Sequence, residues 1–122
     1  MKKHILAIDD EAEIRDLLAE VLTGKGYRVT TASSGAEALL IVKAEPLNLI
    51  ICDLQMEDAD GLELIAELLQ LQPNVPTILL TGVLFDHEVV RDNISKKVSC
   101  YIEKTVPLTK ILSEIERLIG GP

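Results

Sequence analysis

Ile5-Leu6-Ala7-Ile8-Asp9-Asp10 is an unbroken apolar run that stops on two adjacent carboxylates. The pattern recurs. Leu49-Ile50-Ile51-Cys52 runs into Asp53, and Ile78-Leu79-Leu80 runs into Thr81-Gly82. Runs this short, bounded by turn-forming residues, read as strands. Their lack of polar alternation means burial on both faces, as in a parallel sheet covered by helices. Arg28-Val29-Thr30-Thr31-Ala32 and Ser99-Cys100-Tyr101-Ile102 are weaker runs of the same type.

Helical patterns lie between the strands. Ile14, Leu17, Leu18, Val21 and Leu22 form one apolar stripe, ended by Gly24 and Gly26. Ser33 or Ser34 caps a second helix whose inward residues are Ala38, Leu39 and Val42, with Pro46 beyond its end. Leu62, Ile65, Leu68 and Leu69 mark a third, stopped by Pro73. A fourth over 86–95 has only Val89, Val90 and Ile94 to bury. Ile111, Leu112, Ile115, Leu118 and Ile119 define the last, closed by Gly120-Gly121-Pro122. The alternation predicts an α/β fold, (βα)5. Right-handed crossovers make it a doubly wound five-stranded parallel sheet, flavodoxin-like, in the order 2-1-3-4-5.

The chain has 122 residues, 20 acids against 12 bases, 48% hydrophobic residues, no Trp and one Phe. That length predicts one domain over 1–122, and the apolar fraction excludes a disordered chain. The longest apolar run, Ala38 to Val42, is five residues, far short of the roughly 20 that cross a bilayer as a helix. Met-Lys-Lys-His-Ile carries no secretory h-region. The expectation is a soluble, cytoplasmic protein with no membrane partner. A net charge of −8 argues against direct nucleic-acid binding, which needs a basic footprint. The charge is uneven: residues 1–90 hold 16 acids and 6 bases, residues 91–122 hold 4 and 6. The two cysteines have no metal-site spacing and fall on strands 3 and 5, separated by strand 4. They read as buried reduced thiols. His4 and His87 read as surface or edge histidines.

In a doubly wound sheet, ligands gather outside the carboxyl ends of the strands, at the switch point between strands 1 and 3. Asp9 and Asp10, Asp53, Thr81, and Glu103-Lys104 all fall at those ends. Crowded carboxylates need a counter-charge, and a hard divalent cation such as Mg2+ supplies one through carboxylate oxygens. Lys104 then suits a phosphoryl oxygen as a point charge, and the Thr81 hydroxyl suits another. Each residue alone admits a plainer reading. Asp10 with Glu13 fits a helix capping box, Asp53 a loop start, Thr81-Gly82 a turn, and Lys104 a surface lysine. The convergence of four strand ends outweighs these.

Four motifs carry a resemblance over about Ile5 to Ile119: Ile8-Asp9-Asp10-Glu11; Ile51-Cys52-Asp53-Leu54-Gln55-Met56 leading to Asp60-Gly61; Leu80-Thr81-Gly82; and Tyr101-Ile102-Glu103-Lys104. Together they resemble the CheY-like receiver domains of two-component response regulators. The resemblance implies a phosphorelay signalling domain, not a conventional enzyme. Asp53 would be the phosphoacceptor, charged by a sensor histidine kinase or a histidine phosphotransfer protein. Asp9, Asp10, Asp53 and the Gln55 backbone carbonyl would hold Mg2+. Thr81 and Lys104 would bind the phosphoryl oxygens, and Tyr101 would switch with Thr81. The 86–95 helix, strand 5 and the last helix would form the output face, for an output protein, a fused effector or a homodimer. The chain departs from the family at Glu57 and Thr105, where Pro is common, and at Lys97-Val98, where a Gly-Ala step is common. The departures cluster toward the output side, so the expectation is retained chemistry with unusual partner choice. Two rivals remain: a phosphorylation-independent pseudo-receiver, and a small Mg2+-dependent phosphohydrolase, for which no spare general acid or cap segment is visible.

Overall fold

A computed structural model describes residues 2–54, 61–81, 100–103 and 106–121. The elements are β1 (His4–Ile8), α1 (Ala12–Gly24), β2 (Arg28–Ala32), α2 (Gly35–Ala44), β3 (Leu49–Asp53), α3 (Gly61–Leu71), β4 (Thr77–Thr81), β5 (Cys100–Glu103) and α4 (Leu108–Ile119). The strands form one parallel sheet in the order β2-β1-β3-β4-β5, as the apolar runs predict. The helix expected over 86–95 lies outside the described residues.

Successive residues of a strand point to opposite faces, so each central strand feeds two cores. Leu6, Ile8, Ile50, Cys52 and Leu79 pack with Ala38 and Val42 of α2 and Leu64, Ile65 and Leu68 of α3. Ile5, Ala7, Ile51, Ile78, Leu80 and Ile102 pack with Leu18 and Leu22 of α1 and Ile111 and Ile115 of α4. Every residue of β1, β3 and β4 is buried, whereas β2, at the edge, buries only Ala32. That difference is why β2 reads weakly in the sequence.

The structure corrects several local expectations. Leu17 is 47% exposed, because a helix lying on a sheet centres its contact on Leu18 and Leu22 and leaves Leu17 on the rim of the stripe. His4 is buried, not at the surface: it opens the central strand β1, and its Nε2 lies 2.7 Å from Thr30 Oγ1 on β2. Cys100 is a free thiol, as expected, but only half-buried. The Asp10–Glu13 capping box does not form. The cap residue of α1 is Glu11, without a side-chain cap bond, so Asp10 falls one residue too early. Ser34 does cap α2, accepting from Glu37 N at 3.2 Å, while Glu37 reaches back to Ser33 Oγ at 2.9 Å.

Long-range polar contacts fix the frame. The Gln72 side chain accepts from Leu47 N and donates to Val42 O and Glu45 O at 2.7–2.9 Å, tying the end of α3 to the α2–β3 connection. Gly120 ends α4 at φ 77°, a left-handed conformation that glycine adopts without steric penalty. Tyr27 Oη donates to Gly120 O at 3.0 Å, and Lys3 Nζ donates to Ile119 O.

Candidate functional site

The register sets the site. Ile8 pairs with Cys52, and Asp53 pairs with Leu80. Asp9, one residue past β1, therefore comes beside Asp53, and Thr81 ends the next strand over. Neighbouring strands lie about 4.8 Å apart, so groups at consecutive strand ends share one hollow. Asp9, Asp10, Glu11 and Asp53 each place a carboxylate oxygen within 4.8 Å of the others. Asp9 and Asp53 are 0% and 3% exposed, Asp10 is half-buried, and Glu11 faces solvent.

Local hydrogen bonds hold the β1–α1 turn. Asp9 N donates to Ala32 O at 3.1 Å, Asp9 Oδ1 accepts from Glu11 N at 2.9 Å, and Arg15 Nη1 donates to Asp9 O at 2.7 Å. Leu54 N donates to Leu80 O at 2.8 Å, carrying the β3–β4 pairing past Asp53. Thr81 is 1% exposed, and its Oγ1 makes no hydrogen bond among the described residues. Such a buried hydroxyl costs about 1–3 kcal/mol unless it meets a partner. The Cys52 thiol, on the inner side of the hollow, is pushed strongly upward, first by burial and then by the charges of Asp53 and Asp9.

This donor set is all carboxylate oxygen. Such hard ligands suit Mg2+ or Ca2+ and suit soft metals poorly. The residues therefore fit a hard divalent cation. Thr81, with its buried hydroxyl, ends the adjacent strand one position past Leu80, the residue that pairs with Asp53.

Of the residues singled out in the sequence, Asp9, Asp10 and Asp53 come together, with Thr81 at the adjacent strand end. Tyr101 lies in β5 with its backbone paired to Leu79. Gln55 and Lys104 lie outside the described residues. Glu11 was not singled out as a ligand. Its signal is being the third consecutive acid at a strand end. On the α4 side, Glu114 pairs with Arg117 at 2.7 Å and Lys110 at 3.2 Å, and its carboxyl is lowered chiefly by the Arg117 hydrogen bond. The Cys100 Sγ donates to Glu114 Oε2 at 3.6 Å, and its thiol is raised by burial and by Glu114.

A family model described as the response regulator receiver domain matches residues 5–116. The chain is 45% identical over 79 residues to the transcriptional regulatory protein GlrR of Escherichia coli K12, a match covering 65% of this chain and 18% of that protein. The match thus spans less than a fifth of the length of GlrR. A CheY-like receiver domain protein from Methanospirillum hungatei JF-1 superposes with a TM-score of 0.88 at 29% identity, covering 96% of this chain and 93% of that one. The response regulator TrrA of Thermotoga maritima, solved in complex with Mg(2+)-BeF, superposes with a TM-score of 0.83 at 32% identity, covering 95% and 98%.

Proposed function

This chain belongs to the response regulator receiver domain family, the signalling domains of two-component systems, and from that premise we propose that Asp53 is its phosphoacceptor. The donor is a phosphohistidine on a sensor histidine kinase or a histidine phosphotransfer protein. An Asp53 carboxylate oxygen attacks phosphorus, the O–P bond forms, the N–P bond breaks, and the imidazole leaves and takes up a proton. Such transfers depend on positioning and charge neutralisation more than on covalent chemistry by the protein.

Asp9, Asp10, Asp53 and the Gln55 carbonyl would hold Mg2+ in this reading, and the cation, when bound, would supply the positive charge that offsets the one building on the transferring group. Asp53 is oriented by β3, and its burial restricts water at the acyl phosphate. The Thr81 hydroxyl donates to one phosphoryl oxygen and Lys104 pairs with another. The product adds about one to two negative charges at Asp53. Thr81 and Tyr101 respond, and the change reaches an output face to which β5 and α4 contribute. An output protein, a fused effector or a second copy reads that face. A coupling of about 1–3 kcal/mol would change partner affinity roughly 5–150-fold. We assign the whole of 1–122 to this one domain and place it in the cytoplasm. No helix among the described residues is long and apolar enough to cross a membrane.

One observation carries this reading: Asp9, Asp10 and Asp53 bring carboxylate oxygens within 4.8 Å of one another at the ends of β1 and β3. Incubation with acetyl phosphate and Mg2+, followed by intact mass, tests it. One labile phosphoryl adduct is expected, lost in Asp53→Asn and in chelator. A protein that takes no adduct, yet binds its partner as well with Asn at 53, is a phosphorylation-independent interaction module. Turnover of a phosphate ester far beyond one equivalent marks a phosphohydrolase instead.

A further inference from the structure

The peptide unit between Asp9 and Asp10 lies between two of the cation-binding carboxylates, so its orientation sets where both side chains leave the backbone. It stands outside the hydrogen-bond ladder of α1. That helix is capped at Glu11, whose carbonyl accepts its first bond from Arg15 N at 3.2 Å. The Asp9 carbonyl, two residues earlier, instead accepts from the Arg15 guanidinium at 2.7 Å. On its other side Asp9 N donates to Ala32 O at 3.1 Å. Asp9 is therefore braced through both flanking peptide units, from β2 on one side and from the second turn of α1 on the other. Arg15 is half-buried, which limits the freedom of its side chain.

We infer that Arg15 is a positioning residue for the divalent-cation site: its guanidinium fixes the Asp9–Asp10 peptide so that the carboxylates stand preorganised toward Asp53. This rests on the proposed reading of the acidic cluster as a cation site. Two effects of Arg15 oppose each other. A positive charge near the carboxylates repels an incoming cation, so its removal alone strengthens binding. The brace reduces the reorganisation that binding requires, so its loss weakens binding. Groups that orient metal ligands typically change affinity 10–100-fold when removed, whereas a half-exposed charge acts through screening solvent. The brace should therefore dominate.

The test is a Mg2+ titration of the intact chain, followed by amide chemical shifts well below the unfolding temperature, for wild type, Arg15→Ala and Arg15→Lys. Folding of each variant is checked by its amide fingerprint remote from the β1–α1 turn. Arg15→Ala should bind Mg2+ about tenfold more weakly, and Arg15→Lys, which keeps a cationic donor, should recover part of the loss. A purely structural role would lower the unfolding temperature but leave the affinity of the folded protein unchanged. Arg15→Ala binding Mg2+ as tightly as wild type, or more tightly, overturns the inference while leaving the cation site standing. Wild type showing no saturable shifts at Asp9, Asp10 and Asp53 overturns both. If Arg15→Ala loses its fingerprint, Arg15→Gln, which carries no charge, takes its place in the titration: clearly weaker Mg2+ binding than wild type supports the brace, and affinity equal to wild type overturns it.

Discussion

Asp9→Asn should stabilise the metal-free protein and at the same time weaken its response to Mg2+. Asparagine keeps the Oδ1 that accepts from Glu11 N at 2.9 Å, so the turn retains that hydrogen bond while a charge disappears. Two unit charges 4.8 Å apart, the upper limit in the cluster, repel by about 3.5 kcal/mol at an effective dielectric near 20 and by about 0.9 kcal/mol in bulk water. Asp9 and Asp53 are both buried, so their repulsion is the least screened, while Asp10 and especially Glu11 are softened by solvent. Relief of repulsion and of burial acts in one direction and gives about 1–3 kcal/mol of stabilisation at neutral pH. For a chain of this size that raises the melting temperature by roughly 3–6 °C per kcal/mol. The assay is thermal unfolding by circular dichroism, in chelator and in excess Mg2+. Wild type should gain about 2.7 kcal/mol at a hundredfold excess over the dissociation constant, and the variant much less. The two melting curves should therefore approach or cross when Mg2+ is added. A variant that melts at or below wild type in chelator would refute the picture of mutually repelling carboxylates.

Other consequences are independent of the cation. Tyr27→Phe removes the bond to Gly120 O and should cost about 0.5–1.5 kcal/mol in urea unfolding. The Tyr27 phenol is held above its ordinary value of 10.0 by burial and by Glu116, so the folded state keeps that proton longer than the unfolded state. Its contribution is fully present below pH 10 and is lost as the pH climbs through the folded value, so part of the alkaline fall in stability should vanish in the phenylalanine variant. Cys52, fully buried and with its thiol raised, should resist iodoacetamide in the native protein and react only on unfolding, read by intact mass. Leu68→Ala, in the core under α3, should lower stability by about 2–5 kcal/mol in urea titration, whereas Leu40→Ala, 68% exposed, should stay within about 0.5 kcal/mol of wild type.

The sheet was legible because β1, β3 and β4 bury every residue, and only an apolar run satisfies that demand. Asp9 and Asp53 stood out for the opposite reason, as charges breaking such runs at the strand ends. What the sequence concealed depends on neighbours far along the chain. His4 looked peripheral beside Lys2 and Lys3, but the flanking strands β2 and β3 enclose it, and Thr30 gives its ring a partner. Leu17 fits the helical period as well as Leu18 does, and only the flatness of the sheet separates them. The Asp10–Glu13 spacing satisfied a capping rule, yet the helix began a residue later because Asp9 itself engages Glu11 N. Arg15 carries no motif at all. Its role becomes visible only when the Asp9 carbonyl is seen outside the helix ladder.

The hold that Lys3 and Tyr27 exert on the last turn of α4 has a practical reach. Lys3 O also accepts from Arg28 N at 2.9 Å, so the backbone of Lys3 is tied to β2 while its side chain reaches the end of α4. Lys3 and Gly120 thus lie at one pole, with the length of β1, ~16 Å for five residues, between them and the carboxylates. A short Gly-Ser bridge from Gly121 to Lys2 would close the chain into a ring, and the exposed Pro73–Asn74 turn offers a place to reopen it. A fluorophore or surface anchor attached beside Lys2 or Gly121 should leave the acidic cluster accessible from the opposite pole.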